Sequence, residues 1–402
     1  MDYESLKKRI REGCKQFDKT EVRDCIEDLT EAQATALAQD RDLMDYLMAG
    51  VKDLREELKK CFVERDELIE IGLACFIAHL PMVALGPPGT AKSNVFRVLS
   101  KGLGLQDQPM SIAQLAQEMD QLARSASEEP ALPAGTTSGA RQSRGYFEYL
   151  VTRFTTPEEL LGPAHLSLMI NRAVFYRQTL GLLPEAEVAF LDEIFKANSA
   201  ILNALLSIMN ERLFYNAGRP TRVPLCMVFG ASNEPPEDKE LSALYDRFPV
   251  RVPCLPIEDT SEDRQELLQK SLKQACDELF HHRAREQGSG NGNGIKQLAT
   301  VNHFRLLHKV VHVKYGGRLP YGEESRERFL RAYYKTFGSL RREFEISDRS
   351  YYKLYALARG LAQLRGKDAL GPEELDVFKF CFHDLEAAAP LREAVQERKR
   401  RY

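Results

Sequence analysis

No two cysteines in this 402-residue chain stand at C-x-x-C spacing. The eight are scattered singly, as at Cys61, Cys226 and Cys381, so zinc and dithiol-redox readings lack support. They read as reduced thiols of a cytosolic protein. A long apolar run is also missing. The longest, "IGLACFIAHLPMVALG", is too short to span a bilayer and is interrupted by Pro81. The N-terminus, "MDYESLKKRIREGCKQFDK", is charged from its first residues, so no secretory signal is expected in it. Neither sign of charge dominates. The net charge is −3 and the pI about 6.3, so no overall basic field argues for nucleic acid or an acidic membrane surface. What remains, 43% hydrophobic and 29% charged residues, is a soluble globular composition long enough for two or three domains.

Residues 1–60 carry a helical stripe, Leu43, Leu47, Val51, Leu54 and Leu58, at steps of three and four. A short coiled coil and a packed helical extension both fit it. From residue 61 the pattern changes to a helix ("ERDELIEIGLACFIAHL"), a buried strand ("PMVAL"), a glycine loop and a helix ("SNVFRVLSKGL"). Strand, loop and helix in that order is the setting a phosphate-binding loop needs. Residues 104–145 are small, polar and rich in Pro and Gly, and read as an exposed, mobile insertion. A second strand is expected at "VAFLD" (188–192), then a helix ("SAILNALLSIMNERL"), a hairpin ("FYNAGRPTRVP") and a strand ("LCMVFGASN"). After Pro256 the pattern is helical, broken by a flexible linker at 288–294. The expected division is a helical extension over 1–60, an α/β domain over 61–255 and a helical domain with a tail over 256–402.

The chemistry begins at "LGPPGTAKSN". Gly86, Pro87, Pro88, Gly89, Thr90 and Ala91 can wrap an anion with backbone amides, helped by the dipole of the following helix. Lys92 would reach the β and γ phosphates, and Ser93 would bind Mg²⁺. Ala91 stands where the Walker A pattern wants glycine. With the positive φ common there, alanine costs roughly 1–2 kcal/mol more than glycine. "VAFLDEI" is an apolar strand ending in two acids, the Walker B pattern. Asp192 would hold the metal and Glu193 would polarise the attacking water. Asn233, at the tip of a further strand, can position that water, though a turn-forming Asn before "EPPED" is the plain alternative. Arg247 or Arg251, in "ALYDRFPVRV", can supply positive charge to a neighbouring subunit's γ-phosphate, or simply make surface salt bridges.

Taken together, "GPPGTAKS", "FEYLVTRFTTPEELLGP", "LPEAEVAFLDEIFKANSAILNALLSIMNER", "GASNEPP" and "ALYDRF" resemble the MoxR family of AAA+ ATPases, nearest its RavA-type branch. The resemblance covers roughly residues 61–255. It continues more weakly to "ISDRSYYKLYALARGLA", which is similar to the sensor 2 helix. Members of the branch also carry alanine before the loop lysine. The resemblance implies an AAA+ P-loop core, a parallel sheet flanked by helices, followed by an all-helical lid. It implies Asn233 as sensor 1, Arg247 as arginine finger and Arg349 as sensor 2. It implies ATP and Mg²⁺ as ligands and a ring, hexameric in the family, with nucleotide between subunits. "TRFTTPEELLGP" resembles the segment leading into the insert in helix 2, and "RLFYNAGRPTRVP" the hairpin before sensor 1; both face the pore or the client. A client protein or a von Willebrand A-domain partner follows as a possible companion. Two departures stand out: the insertion at 104–145 is longer than in the family, and the further C-terminal domain of the RavA branch is expected to be absent.

Other features carry less. His308 and His312 in "HKVVH" have i,i+4 spacing, but the metalloprotease glutamate is missing. "SLRREFE" and the tail "VQERKRRY" read as solvated charge. The expected function is ATP hydrolysis by a cytoplasmic ring that remodels, chaperones or matures protein complexes. A slow nucleotide-dependent assembly switch is the alternative, and a DNA-acting motor is disfavoured by the near-neutral charge.

Overall fold

A computed structural model describes residues 3–15, 20–105, 145–236, 239–257, 264–270, 297–316, 323–344 and 346–400. Most of the insertion expected at 104–145, and the linker at 288–294, lie outside the described residues. Helices α1 (Tyr3–Lys15), α2 (Thr20–Glu27), α3 (Glu31–Gln39) and α4 (Arg41–Cys61) come first. They are followed by α5 (Asp66–Ala78), β1 (Met82–Leu85) and α6 (Lys92–Gly102). Next come β2 (Tyr146–Leu150), α7 (Pro157–Leu161), α8 (Leu166–Arg172), β3 (Val188–Asp192) and α9 (Ser199–Glu211). The hairpin β4–β5 (Leu213–Asn216, Arg219–Arg222) leads to β6 (Met227–Ser232), α10 (Lys239–Tyr245) and β7 (Val250–Pro253). The rest is helical: α11 (Val301–Tyr315), α12 (Glu323–Phe344), α13 (Asp348–Leu364), a 3₁₀ segment (Pro372–Phe380) and α14 (Leu385–Lys399).

Five strands form a parallel sheet in the order β2-β3-β6-β1-β7. Helices cover it, which is the AAA+ core with a helical region expected from the sequence. Central strands β1 and β6 are buried at every residue, as a parallel sheet covered on both faces requires. Two strands had no counterpart in the sequence reading, β2 and β7, and they are the two edges of the sheet. Because all five strands run the same way, Leu85, Leu150, Asp192, Ser232 and Pro253 end at one pole.

The leucine stripe of α4 is fully packed rather than a free coiled coil. Leu43, Leu47, Val51 and Leu54 are buried, and α4 lies against α5. Helix α5 is apolar nearly all round because it sits between the sheet and the C-terminal helices. Phe76 shows why: it stacks on Phe304 of α11 at 4.1 Å and meets Phe229 of β6 edge-on at 6.4 Å. Gly360 lets α13 approach α5 closely, since a Cβ there would stand 2.6 Å from the Ala74 carbonyl oxygen. One apolar cluster runs from Leu6 to Val395. Packing therefore crosses both expected boundaries. Among the described residues no helix is long and apolar enough to cross a membrane.

Candidate functional site

The glycine loop joins β1 to α6 at the pole where the strands end. Gly86 must be glycine: its amide donates to the Ser232 carbonyl at 3.2 Å, and a Cβ would stand 2.0 Å from the Cys254 carbonyl oxygen. Gly89 has φ +81 with nothing near its Cβ position, so the mouth of the loop is open. Ala91 has φ +61, the left-handed conformation anticipated for it, and caps α6 without a side-chain bond. Its cost of roughly 1–2 kcal/mol is carried by the loop. The Thr90 hydroxyl donates to the Pro87 carbonyl at 2.9 Å. Lys92 Nζ is buried and turned into the loop, donating to the carbonyls of Gly86 (2.6 Å) and Pro87 (2.9 Å). Burial lowers its pKa, opposed by Asp192 and Glu193 nearby.

The acids of β3 are tied into the same network. Ser93 Oγ donates to Asp192 Oδ2 at 2.7 Å, and Asp192 Oδ1 accepts the Glu193 amide at 3.0 Å. Asn233 bridges lysine and glutamate: its Oδ1 accepts from Lys92 Nζ at 3.3 Å, and its Nδ2 donates to Glu193 Oε1 at 2.5 Å. The other glutamate oxygen pairs with Lys196 Nζ at 3.3 Å. Glu193 itself has φ +52, strained backbone of the kind that concentrates at working sites. A hydroxyl and a carboxylate side by side beneath an open anion loop are the hard-oxygen donor set that Mg²⁺ takes, so the residues present fit that ion. Lys92, Ser93, Asp192, Glu193 and Asn233 thus converge, as the sequence motifs required of them.

A family model for the MoxR domain in the MoxR-vWA-beta-propeller ternary systems matches residues 49–112 and 137–288, more than half of the chain. The chain belongs to the MoxR family. Two relatives from Methanocaldococcus jannaschii, uncharacterized proteins MJ0079 and MJ0812, are 41% and 42% identical over 208 and 201 residues. These cover 52% and 50% of this chain, and 44% and 43% of the relatives. Structural protein ORF618 of Acidianus two-tailed virus is 25% identical over 260 residues, 63% of this chain and 34% of the viral protein. The chain thus spans less than half the length of the curated relatives it matches. A crystal structure of a candidate ATPase from Cytophaga hutchinsonii shares the fold at TM-score 0.56 and 16% identity, covering 92% of this chain and 98% of that one.

The arginines of this MoxR chain divide sharply. Arg65 was not foreseen from sequence, since its contacts are long-range. It is 6% exposed, and its guanidinium donates to the carbonyls of Thr90 (2.9 Å), Glu64 (2.7 Å) and Leu255 (2.9 Å). It pins the loop to the chain leaving β7. Arg251 is also buried. Its guanidinium lies 3.9 Å from the Tyr245 ring centroid and donates to the Phe382 carbonyl at 2.7 Å. That side chain is occupied within its own chain. Arg247 is half-buried, just ahead of β7, and its neighbours Tyr245 and Phe248 pack on Phe195, which follows Glu193, at 5.3 and 6.1 Å.

Arg349 is not brought to the loop of its own chain. Helix α13 runs antiparallel to α5, with Gly360 against Ala74 and Arg365 Nε bonded to Glu70 Oε1 at 2.8 Å. Since α5 begins beside the loop at Arg65, the first turn of α13 lies about 30 Å away along the helix axes. Arg349 stands on that first turn, and Arg212 lies near the start of β6, with its Nη2 3.5 Å from the Cys226 carbonyl oxygen.

Proposed function

We propose that this MoxR chain is a Mg²⁺-dependent ATPase that works as an oligomeric ring. One observation carries the reading: Lys92, Ser93, Asp192, Glu193 and Asn233 form a single hydrogen-bonded set at the C-terminal ends of parallel strands, around an open glycine loop. In this reading Gly86, Pro87, Pro88, Gly89, Thr90 and Ala91 cradle the phosphates, and Lys92 leaves the loop carbonyls to contact them. Ser93 and Asp192 would hold Mg²⁺, which when bound neutralises phosphate charge. Glu193 orients and polarises the attacking water, with Asn233 fixing its position. Arg247 and Arg349 act in a neighbouring subunit's site, and Arg349 stands too far from its own loop to act there. Adenine is carried over from the family. The division into extension, α/β core and lid belongs to the same reading.

The ring is proposed to remodel or mature protein complexes in the cytoplasm, in company with a von Willebrand A-domain partner as the family description suggests. Support comes from the elements assigned to the client. Asn216 of the hairpin exchanges hydrogen bonds with the Arg177 backbone at 2.7 and 2.9 Å, so hairpin and insert form one unit. That unit exposes Phe154 at 91% and Ile170 at 76%, apolar surface of the kind that meets other proteins.

A second reading, a nucleotide-timed assembly switch with slow turnover, is favoured by the state of Glu193. Both of its oxygens are engaged, by Asn233 and Lys196. Steady-state and single-turnover hydrolysis, measured across protein concentration, separate the two. The motor reading expects a rate that rises with concentration, and a Glu193→Gln chain that binds ATP but turns over about a hundredfold more slowly. Full activity in that variant would remove Glu193 from its role.

A further inference from the structure

One ionic side chain touches Glu193 from outside the glycine loop: Lys196. Glu193 has φ +52, and the chain then makes a 3₁₀ turn over Ile194–Lys196, in which the Lys196 amide donates to the Glu193 carbonyl at 2.9 Å. Side chains three residues apart eclipse in a 3₁₀ turn, so the backbone sets Lys196 over Glu193. Its Nζ stands 3.3 Å from Glu193 Oε2. The turn is anchored on both sides. Ile194 and Phe195 are buried, and Phe195 packs on Tyr245 and Phe248 at 5.3 and 6.1 Å. Just beyond the turn, Asn198 Nδ2 donates to the Thr155 carbonyl at 2.8 Å. The freedom that remains is in the lysine side chain, which is 52% exposed, against 14% for Glu193.

We infer that Lys196 is a positioning residue that restrains Glu193 and thereby slows hydrolysis at this site. The inference rests on the ATPase reading above. The two oxygens of Glu193 are held in different ways. Oε1 accepts from Asn233 Nδ2 at 2.5 Å, and Asn233 Oδ1 accepts in turn from Lys92 Nζ at 3.3 Å. Phosphate oxygens compete for Lys92, so what occupies the loop acts on that side of the carboxylate. Oε2 is held by Lys196, and among the described residues no bond links that ammonium to the loop or to Asn233. Loop occupancy therefore leaves this second hold in place. Each carboxylate oxygen has a further lone pair, so Lys196 steers Glu193 rather than blocking it. With Asn233 it fixes the plane of the carboxylate. Turning that plane to take a proton from the attacking water weakens the ion pair. Because the pair is half exposed, the restraint is worth a few-fold in rate rather than orders of magnitude.

The test compares steady-state ATP hydrolysis by the full chain with that of Lys196→Gln and Lys196→Arg, at one protein concentration. Lys196→Gln should raise kcat about threefold with KM for ATP unchanged, the split expected when a restraint on the reacting group is lifted and binding is untouched. Lys196→Arg keeps the charge and should restore most of the restraint. The ratio of the Lys196→Gln rate to the wild-type rate should fall toward one as salt rises, since salt screens an exposed pair. A lysine that only supports the fold would give neither the gain nor the salt dependence. An unchanged or lower kcat in the folded Lys196→Gln chain would overturn the proposal. A nucleotide-free double-mutant cycle, Lys196→Gln with Glu193→Gln, followed by thermal melting, reads the pair itself. Coupling that weakens with salt supports the hold, and strictly additive effects would overturn it. If the unaltered chain neither binds nor hydrolyses ATP, the ATPase reading falls, and the melting cycle still reads the hold of Lys196 on Glu193.

Discussion

The two poles of the sheet treat charge in opposite ways. At the loop pole nearly every ionic side chain is cross-linked: Lys92 to two carbonyls and Asn233, Ser93 to Asp192, Glu193 to Asn233 and Lys196, Arg65 to three carbonyls. At the other pole Arg212 keeps a buried nitrogen without a partner. A pole satisfied within the chain can be folded and held ready. A pole with unmet donors carries the cost of each buried polar atom left without a bond. The difference teaches that the chain satisfies its buried donors where the glycine loop needs a fixed frame, and less completely where it does not.

The comparison breaks most severely at Arg247. If it serves a neighbour's phosphate, Arg247→Ala should lower kcat by about a thousandfold or more while ATP binding to the intact loop survives. Steady-state rates beside nucleotide binding test this, and an unchanged kcat in an assembled variant would end the shared-site account. Next in size is Arg65. Arg65→Gln leaves buried carbonyls without their donor, and thermal melting should report a loss of about 1–3 kcal/mol. An exposed arginine would lose almost nothing.

A third expectation concerns pH. Burial pushes His308 down to about 3 and His303 down to about 4, and holds His79 well below the ordinary value, with further charge from His308 and Arg212. Folded pKa values are therefore depressed, against about 6.5 in the unfolded chain. Stability from these neutral rings is full above about pH 6.5 and is lost as pH falls from there toward roughly 3–4. Melting temperature measured down a pH series should begin to fall below pH 6.5. It should fall less steeply in His308→Gln. The smallest effect belongs to Ala91. Ala91→Gly relieves left-handed strain but frees the unfolded chain, so the net change should stay within about 1 kcal/mol. A loss well beyond that would mean the alanine methyl itself holds the loop.

Much of this was legible in the chain, for physical reasons. Central strands β1, β3 and β6 announce themselves as short apolar runs because the sheet is covered on both faces. Edge strands β2 and β7 need no such run. "YFEYL" carries a glutamate that pairs with Arg97, and "VRVP" carries Arg251 and a proline, so neither reads as a buried strand. The loop and its acids were legible because local spacing fixes them. Arg65 and Lys196 were not, because their partners are chosen by folding. Arg349 shows the limit from the other side: its helix was recognised by resemblance, but only the antiparallel packing of α13 on α5 reveals which pole it occupies.

The bonds of Arg65 have a mechanical meaning as well as an energetic one. A guanidinium is a flat, rigid plate, and this one holds Thr90, Leu255 and the start of α5 on its rim. Leu255 lies where the chain departs from the sheet toward the helical region. A small shift of Thr90 must therefore either snap a bond or swing the outgoing chain with it. The plate is placed as the pivot of a bell crank would be, between the loop and the root of the helices.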